Sequence, residues 1–283
     1  MKILVTGSYG QLGNEIRVAL QQFPDTEVIM TDVDTLDICN KNAVERFFEQ
    51  NKPDFIVNCA AYTAVDKAEN DVDLCYKINR DAVENLAKSA AKIGAKIVHI
   101  STDYVFDGTA NVPYSEDVKV CPKSIYGKSK AAGEEVLMEN NGQNSIIIRT
   151  AWLYSIFGNN FVKTMLRLGA EKEQISVVFD QIGTPTNAAD LAKAIVEIIH
   201  TKTFVSGIYH FSNEGVCSWY DFTKAIFDIK KYDCKLLPIE SSQYPVPAPR
   251  PSFSVLNKAK IKSVFGIEIP HWHDSLLKMT EKN

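Results

Sequence analysis

The stretch KILVTGSYGQLG (residues 2–13) decides how this chain of 283 residues is read. An apolar, β-branched run, KILVTG (2–7), breaks at Gly7, Gly10 and Gly13. GNEIRVALQQF (13–23) then continues with apolar residues at helical spacing. With 14 Gly in the chain, chance yields this spacing on the order of a few hundredths of a time, so the turn needs a reason. A strand, a glycine turn and a helix, in that order, form a cradle for a pyrophosphate. A backbone without Cβ turns tightly, approaches the phosphates closely and leaves their charge on a helix N-terminus. Gly7, Gly10, Gln11, Leu12 and Gly13 are therefore expected to hold a dinucleotide.

The alternation continues outward from this turn. EVIMTD (27–32), DFIVNCAA (54–61), KIVHISTDYVF (96–106) and SIIIRTAWLY (145–154) read as strands. Residues 41–51, 75–94 and 122–140 read as helices, the second closed by Gly94 where a C-cap glycine belongs. Strands that are apolar throughout and separated by helices imply βαβ units and a parallel sheet covered on both faces. The right-handed crossover rule winds such a sheet both ways. The fold class is α/β: a Rossmann-type doubly wound parallel sheet with a smaller C-terminal α/β substrate lobe. Residues 1–151 are expected to form the dinucleotide-binding domain, with 186–213 returning to it. Residues 152–185 and 214–283 mainly form the substrate lobe. In that half QISVVFDQIGTP reads as strand and loop, NAADLAKAIVEIIHTK and SWYDFTKAIFDI as helices, and GIYHFSN as a strand. YPVPAPRPSF holds four of the 11 prolines and reads as a stiff surface loop.

Composition narrows the function. Net charge is -4 and no Lys/Arg cluster interleaves with aromatics, which argues against nucleic acid as a partner. The apolar run before Gly7 is too short for a signal peptide, and no apolar stretch is long enough to span a membrane. Six scattered cysteines with no C-x-x-C pair read as reduced, mostly buried thiols of a cytoplasmic protein. His271 and His273 lack the further ligands a metal needs.

Asp32 ends the second strand. A carboxylate there accepts hydrogen bonds from a ribose diol and repels a 2′-phosphate, which favours NADH over NADPH. It also serves as a plain strand-end cap on the alternative reading. Two Y-x-x-x-K stretches compete for a catalytic role, Tyr126–Lys130 and Tyr220–Lys224. In a doubly wound sheet, ligands lie beyond the carboxyl ends of the strands. Ser101, Thr102 and Tyr104 follow such a strand, and the helix bearing Tyr126 returns toward the same edge. Tyr220 lies beyond the glycine-bearing sheet. Positions i and i+4 share a helix face, so Tyr126 and Lys130 can meet one object. Reducing a ketone creates an alkoxide that must take a proton, and a free tyrosine, with pKa about 10, holds its proton tightly. A Lys130 ammonium roughly 6 Å away would stabilise the phenolate by about 3 kcal/mol, pulling the phenol down toward neutrality. Lys130 can also hold the nicotinamide ribose, and Thr102 can bond the carbonyl oxygen. Trp152 leaves the sheet where it can pack against a sugar, with core packing as the rival reading. Arg250 is the one Arg after Arg167, and its planar fork suits a diphosphate.

The G-x-x-G-x-x-G spacing resembles that of the extended short-chain dehydrogenase/reductases, and the resemblance covers nearly the whole chain. It is carried in order by ILVTGSYGQLG, NCAAYTAVDKAE, KINRDA, HISTDYVFDG, YSEDVKVCPKSIYGKSKAAGE, RTAWLYS, GTPTNAADLA, GIYHFSN and RPSFSVLN. It implies that Thr102, Tyr126 and Lys130 are the catalytic trio and that Ala60, Ala61 and Thr63 line the cofactor. It implies that Tyr104, Trp152 and Arg250 contact a nucleotide sugar. The activity implied is NADH- or NADPH-dependent reduction of the C4 ketone of dTDP-6-deoxy-L-lyxo-4-hexulose to dTDP-L-rhamnose. The related dehydratases carry an Asp-Glu pair after the Thr; here Asp103 is followed by Tyr104, so the acid for eliminating water is missing. Some bacterial members form homodimers through a magnesium site of Glu side chains. Glu15 matches one of those positions, and no full set accompanies it. The alternatives are a nucleotide-sugar epimerase of the same fold and a non-catalytic, nucleotide-binding regulatory subunit.

Overall fold

A computed structural model describes residues 1–201 and 203–281. The chain runs β1 (Lys2–Thr6), α1 (Gln11–Leu20), β2 (Glu27–Thr31), α2 (Lys41–Asn51), β3 (Phe55–Asn58), α3 (Val65–Ala68), α4 (Val72–Tyr76), α5 (Ala82–Ile93) and β4 (Lys96–Thr102). Then follow α6 (Ile125–Asn141), β5 (Ser145–Thr150), β6 (Leu153–Tyr154), α7 (Phe161–Glu171), β7 (Gln174–Val178), β8 (Ile182–Gly183), β9 (Thr186–Asn187) and α8 (Ala188–His200). The last elements are β10 (Gly207–His210), β11 (Cys217–Ser218), α9 (Trp219–Lys230), β12 (Lys235–Ile239), α10 (Ala259–Phe265) and α11 (Trp272–Glu281). Lys202, to which the sequence pattern carries α8, and Lys282 and Asn283 lie outside the described residues.

Six strands form one parallel sheet in the order β10-β5-β4-β3-β1-β2. Alternate residues of each central strand enter different cores, which is why the strands are apolar throughout. Ile3 and Val5 face a cluster with Ile16 of α1 and Ile195 of α8. Leu4, between them, faces Phe48 of α2, Leu86 of α5 and Leu137 of α6. β10 joins this sheet beside β5, so the chain returns to it after leaving at residue 150. A third core gathers Tyr154, Val162, Phe222, Trp272 and Leu276 around α7, α9 and α11, beside the parallel pair β7–β12.

Several local departures from the sequence reading have physical causes. The helix expected over 75–94 starts at Val72 and contains a π-helical turn, Lys77–Asp81. There Asn79 bonds Tyr62 N (2.8 Å), Tyr62 O (3.1 Å) and Ser129 Oγ (3.0 Å), while the backbone of α6 at Gly133 presses on Asn79 O so closely that a Cβ would sit 2.1 Å away. Gly94 closes α5 in the left-handed conformation (φ 71°), as expected. The strand expected over 145–154 stops at Thr150, because Trp152 adopts a left-handed φ of 49° and re-aims the chain into β6. α6 begins at Ile125 rather than 122, where Ser124 caps the Gly127 N–H (3.1 Å). α7, capped by Asn160, is an element the sequence reading passed over. The proline-rich stretch is not a free surface loop: Ala248 is fully buried, its N–H bonds Asp66, and Ser252 O accepts from Ile182 N (2.9 Å). The thiols are free, but only Cys75, Cys217 and Cys234 are buried; Cys39 and Cys59 are half-buried and Cys121 is exposed. Among the described residues no helix is long and apolar enough to cross a membrane.

Candidate active site

The carboxyl ends of β1 to β5 open into one cavity of about 1260 Å³, closed opposite by α7, β7, the start of α9 and the proline-rich stretch. Every residue expected from the sequence to serve catalysis, cofactor or sugar nucleotide lines it, from Gly7 to Arg250.

The glycine turn fits a pyrophosphate. Gly7 has a left-handed φ of 65°, and a Cβ there would lie 2.6 Å from Ala60 N. A Cβ on Gly13 would lie 2.5 Å from Gly7 O. Gly10 caps α1 without any side chain, so the first-turn N–H groups face the cavity with nothing of their own residue in the way. The Leu12 side chain belongs to the core, which leaves its backbone to the turn. Gln11 accepts a bond from Asn160 Nδ2 (3.0 Å) and links the turn to the start of α7. Asp32 accepts from Tyr9 N (2.9 Å) and Val33 N (2.9 Å). It is thus the strand-end cap and a cavity carboxylate at once. Ala60, Ala61 and Thr63 follow β3 along the cavity wall. Glu15, on the inner face of α1, is buried and accepts from Ser155 Oγ (2.6 Å). Among the described residues no group of three or more His, Cys, Asp or Glu is arranged to hold a metal ion.

β4 delivers the reactive hydroxyls. Ser101 is buried with no partner for its Oγ among the described residues, and Thr102 Oγ donates to Asp103 Oδ1 (2.9 Å) while accepting the Tyr104 N–H (3.2 Å). Burial pushes the Asp103 carboxyl up to about 6, with the Thr102 hydroxyl opposing. The Tyr104 ring meets that of Tyr126 edge to face, centroids 5.4 Å apart. Burial pushes the Tyr104 phenol up to about 12, with Arg250 opposing. Tyr126 and Lys130 share the buried face of α6. The expectation that Lys130 pulls the Tyr126 phenol down does not hold here. Burial raises the Tyr126 pKa, against only a lowering by the Thr102 hydroxyl. Lys130 itself is 1% exposed, and burial lowers it to about 8, with Glu134 opposing. Its Nζ donates to Ile100 O (2.6 Å) and lies 3.3 Å from His99 Nε2. Burial thus keeps Tyr126 in its proton-bearing form in the free protein.

The far wall is aromatic and charged. Trp152 stacks on Trp219 at 3.6 Å, nearly parallel, and packs so tightly over Gly183 that a Cβ there would be 2.7 Å from its ring. Trp152 is therefore both a core residue and a wall of the cavity, and the two readings offered for it coexist. Arg250 Nη2 pairs with Asp66 Oδ2 (2.6 Å), while its Nη1 is buried with no hydrogen-bond partner among the described residues. Sequence reasoning gave no role to Asp66, Trp219 or His99. Asp66 sits in the quoted segment NCAAYTAVDKAE, but its partner is 184 positions away and no local pattern joins them. Tyr220 does not line the cavity.

A family profile described as the RmlD substrate binding domain matches residues 1–283. The spore coat polysaccharide biosynthesis protein SpsK of Bacillus subtilis (strain 168) is 43% identical over 275 residues, covering 97% of this chain and 95% of that protein. Among solved structures, a dTDP-4-dehydrorhamnose reductase of Clostridium acetobutylicum is 46% identical, with a TM-score of 0.96 over 100% of this chain and 99% of that one. The dTDP-4-dehydrorhamnose reductase of Bacillus anthracis, solved in complex with NADP, is 40% identical, with a TM-score of 0.95 over 100% and 99% of the two chains.

Proposed function

The chain belongs to the dTDP-4-dehydrorhamnose reductase family, and from that membership we infer that it is an oxidoreductase using NADH or NADPH to reduce the C4 ketone of dTDP-4-dehydro-L-rhamnose to dTDP-L-rhamnose, the last step of dTDP-rhamnose synthesis. The observation that carries the chemistry is one cavity lined both by an uncapped glycine turn and by Thr102, Tyr126 and Lys130. At about 1260 Å³ it exceeds the roughly 300–1,000 Å³ typical of a site for one small ligand. That volume supports a site shared by cofactor and sugar nucleotide.

We propose the following division of labour. Gly7, Gly10, Gln11, Leu12 and Gly13 hold the cofactor diphosphate against the α1 N-terminus, and Asp32 accepts from the adenosine ribose. Ala60, Ala61, Thr63 and Ser101 line the cofactor's path toward the carboxyl ends of β3 and β4. Bound NADH or NADPH supplies the hydride that C4 accepts. Lys130 holds the nicotinamide ribose. Thr102 and Tyr126 meet the C4 oxygen, and Tyr126 gives its proton as negative charge gathers there. Burial keeps that proton on the phenol in the free protein, and an alkoxide forming at C4 is basic enough to take it. Tyr104 and Trp152 shape the sugar subsite, and the unpaired Nη1 of Arg250 takes a diphosphate oxygen. A buried donor without a partner is costly, and an anion removes that cost. The lobes divide accordingly: residues 1–151 with 186–213 carry the cofactor, and 152–185 with 214–283 carry most of the sugar nucleotide. The free thiols and the nucleotide-sugar substrate suit work in the cytoplasm.

Purified protein given the 4-keto sugar nucleotide should consume NADH or NADPH and yield dTDP-L-rhamnose. No consumption of either cofactor would refute the reading.

A further inference from the structure

Beneath the cavity runs a buried polar chain that reaches the Lys130 ammonium position from the sheet. Asn58, at the end of β3, is 1% exposed, and His99, in the middle of β4, is fully buried. The direction of every bond in this chain follows from one backbone group. Ala60 N–H, which can only donate, points at Asn58 Oδ1 (3.2 Å), where the Thr6 hydroxyl also donates (2.6 Å). That fixes Asn58 Nδ2 on the other side, 2.9 Å from His99 Nδ1. An amide nitrogen donates, so His99 Nδ1 must accept, and the ring proton sits on Nε2. Nε2–H then faces Lys130 Nζ at 3.3 Å. An ammonium there would set donor against donor; a neutral amine accepts through its lone pair and still donates to Ile100 O (2.6 Å).

We propose that His99 is a positioning residue that holds Lys130 as a neutral amine in the free protein above neutral pH, and that in this range Lys130 takes up a proton from solvent when the cofactor binds. The second half rests on the cofactor reading given above. The groups around Lys130 leave little to oppose this. Glu134, one turn along α6, is the nearby carboxylate, but Arg149 already grips it through Nε (2.9 Å) and Nη2 (2.6 Å). Cys59 after β3 and Cys75 of α4 are both raised by burial and stay uncharged thiols. Tyr126, on the same face of α6, keeps its proton. The diphosphate of NADH brings negative charge into the cavity, and nearby negative charge favours the ammonium. Above neutral pH Lys130 is thus a cation only beside a loaded cofactor, when a phenolate on Tyr126 has to be stabilised.

Two measurements test this. In protein labelled with ¹⁵N-histidine, long-range proton–nitrogen spectra identify which ring nitrogen carries hydrogen, and His99→Gln assigns the signal. His99 should show hydrogen on Nε2 from about pH 7 to about pH 9; hydrogen on Nδ1 overturns the proposal. If His99→Gln does not fold, assignment by elimination against substitutions of the other four histidines serves instead. The second measurement is the Kd for NADH. A group whose pKa is raised by binding contributes affinity below its free pKa and loses it above. The Kd should therefore weaken about tenfold between about pH 7 and about pH 9. In His99→Gln an amide oxygen can face Lys130, so the weakening should move to higher pH. A Kd that binds well but stays flat over that range overturns the proton uptake. Failure to bind either NADH or NADPH at any pH refutes the cofactor reading and the uptake with it, while the tautomer spectrum still judges the His99 orientation.

Discussion

Two helices in this molecule carry a tyrosine four residues ahead of a lysine. On α6, Tyr126 and Lys130 are buried, at 9% and 1% exposure, facing the ends of β4 and β5 across a cavity. On α9, Tyr220 is half-buried outside the cavity and Lys224 is an exposed residue paired with Asp228 one turn on. The spacing is identical and guarantees only a shared face. What differs is what that face meets. α6 is laid against the strand that ends in Ser101 and Thr102, while α9 lies in the third core with its charged side in water. Burial is what gives the α6 pair unusual acidities.

Substitutions can break this contrast. Tyr126→Phe keeps the ring and removes the proton donor, so turnover should fall by about 10²–10⁴, with NADH binding retained in a direct titration. Tyr220→Phe should match the parent protein; a crippled Tyr220→Phe would reverse the assignment. A smaller effect is expected at Arg250. Removing a charge-assisted bond to a diphosphate costs about 1.5–3 kcal/mol, or roughly ten- to hundredfold in KM for the sugar nucleotide. Asp66→Asn separates the two roles of that arginine: it frees Nη2 but leaves the anion contact, so KM should move far less than in Arg250→Ala. Smaller again is Trp152→Ala, which loses a stack worth about 0.5–1.5 kcal/mol and should lower thermal stability and raise the sugar-nucleotide KM together. A change in stability alone would make Trp152 purely a core residue. Smallest is the cofactor ratio. Asp32→Ala with Val33→Arg should shift kcat/KM toward NADPH, and an unchanged ratio would leave Asp32 with only its bonds to Tyr9 and Val33.

The parts legible in the sequence are those fixed by local pattern. A strand buried on both faces is largely apolar, so β1, β3, β4 and β5 announce themselves, and the glycine turn between β1 and α1 marks one wall of the cavity. That Thr102, Tyr126 and Lys130 meet at one cavity follows once the strand ends are known. The parts that stayed hidden depend on contacts across the chain. Trp152 takes a left-handed φ because Trp219 and the backbone at Gly183 hold its ring, and nothing in SIIIRTAWLY signals that break. The proline-rich stretch looks solvated until Asp66 is seen to hold both Ala248 N and Arg250. The acidity of Tyr126 ran opposite to expectation for a related reason. Coulomb's law with an assumed separation omits how deeply both partners are buried, and here burial is the largest influence on each.

The most direct test of the central claim, that this cavity transfers hydride to C4 of a nucleotide sugar with Tyr126 supplying the proton, follows the hydrogen itself. Cofactor carrying deuterium at the transferable position of the reduced nicotinamide should be oxidised by the protein and the 4-keto sugar nucleotide, and the product should carry one deuterium, at C4, in its NMR spectrum. Product without deuterium while the cofactor stays reduced, as an epimerase would give, would contradict it.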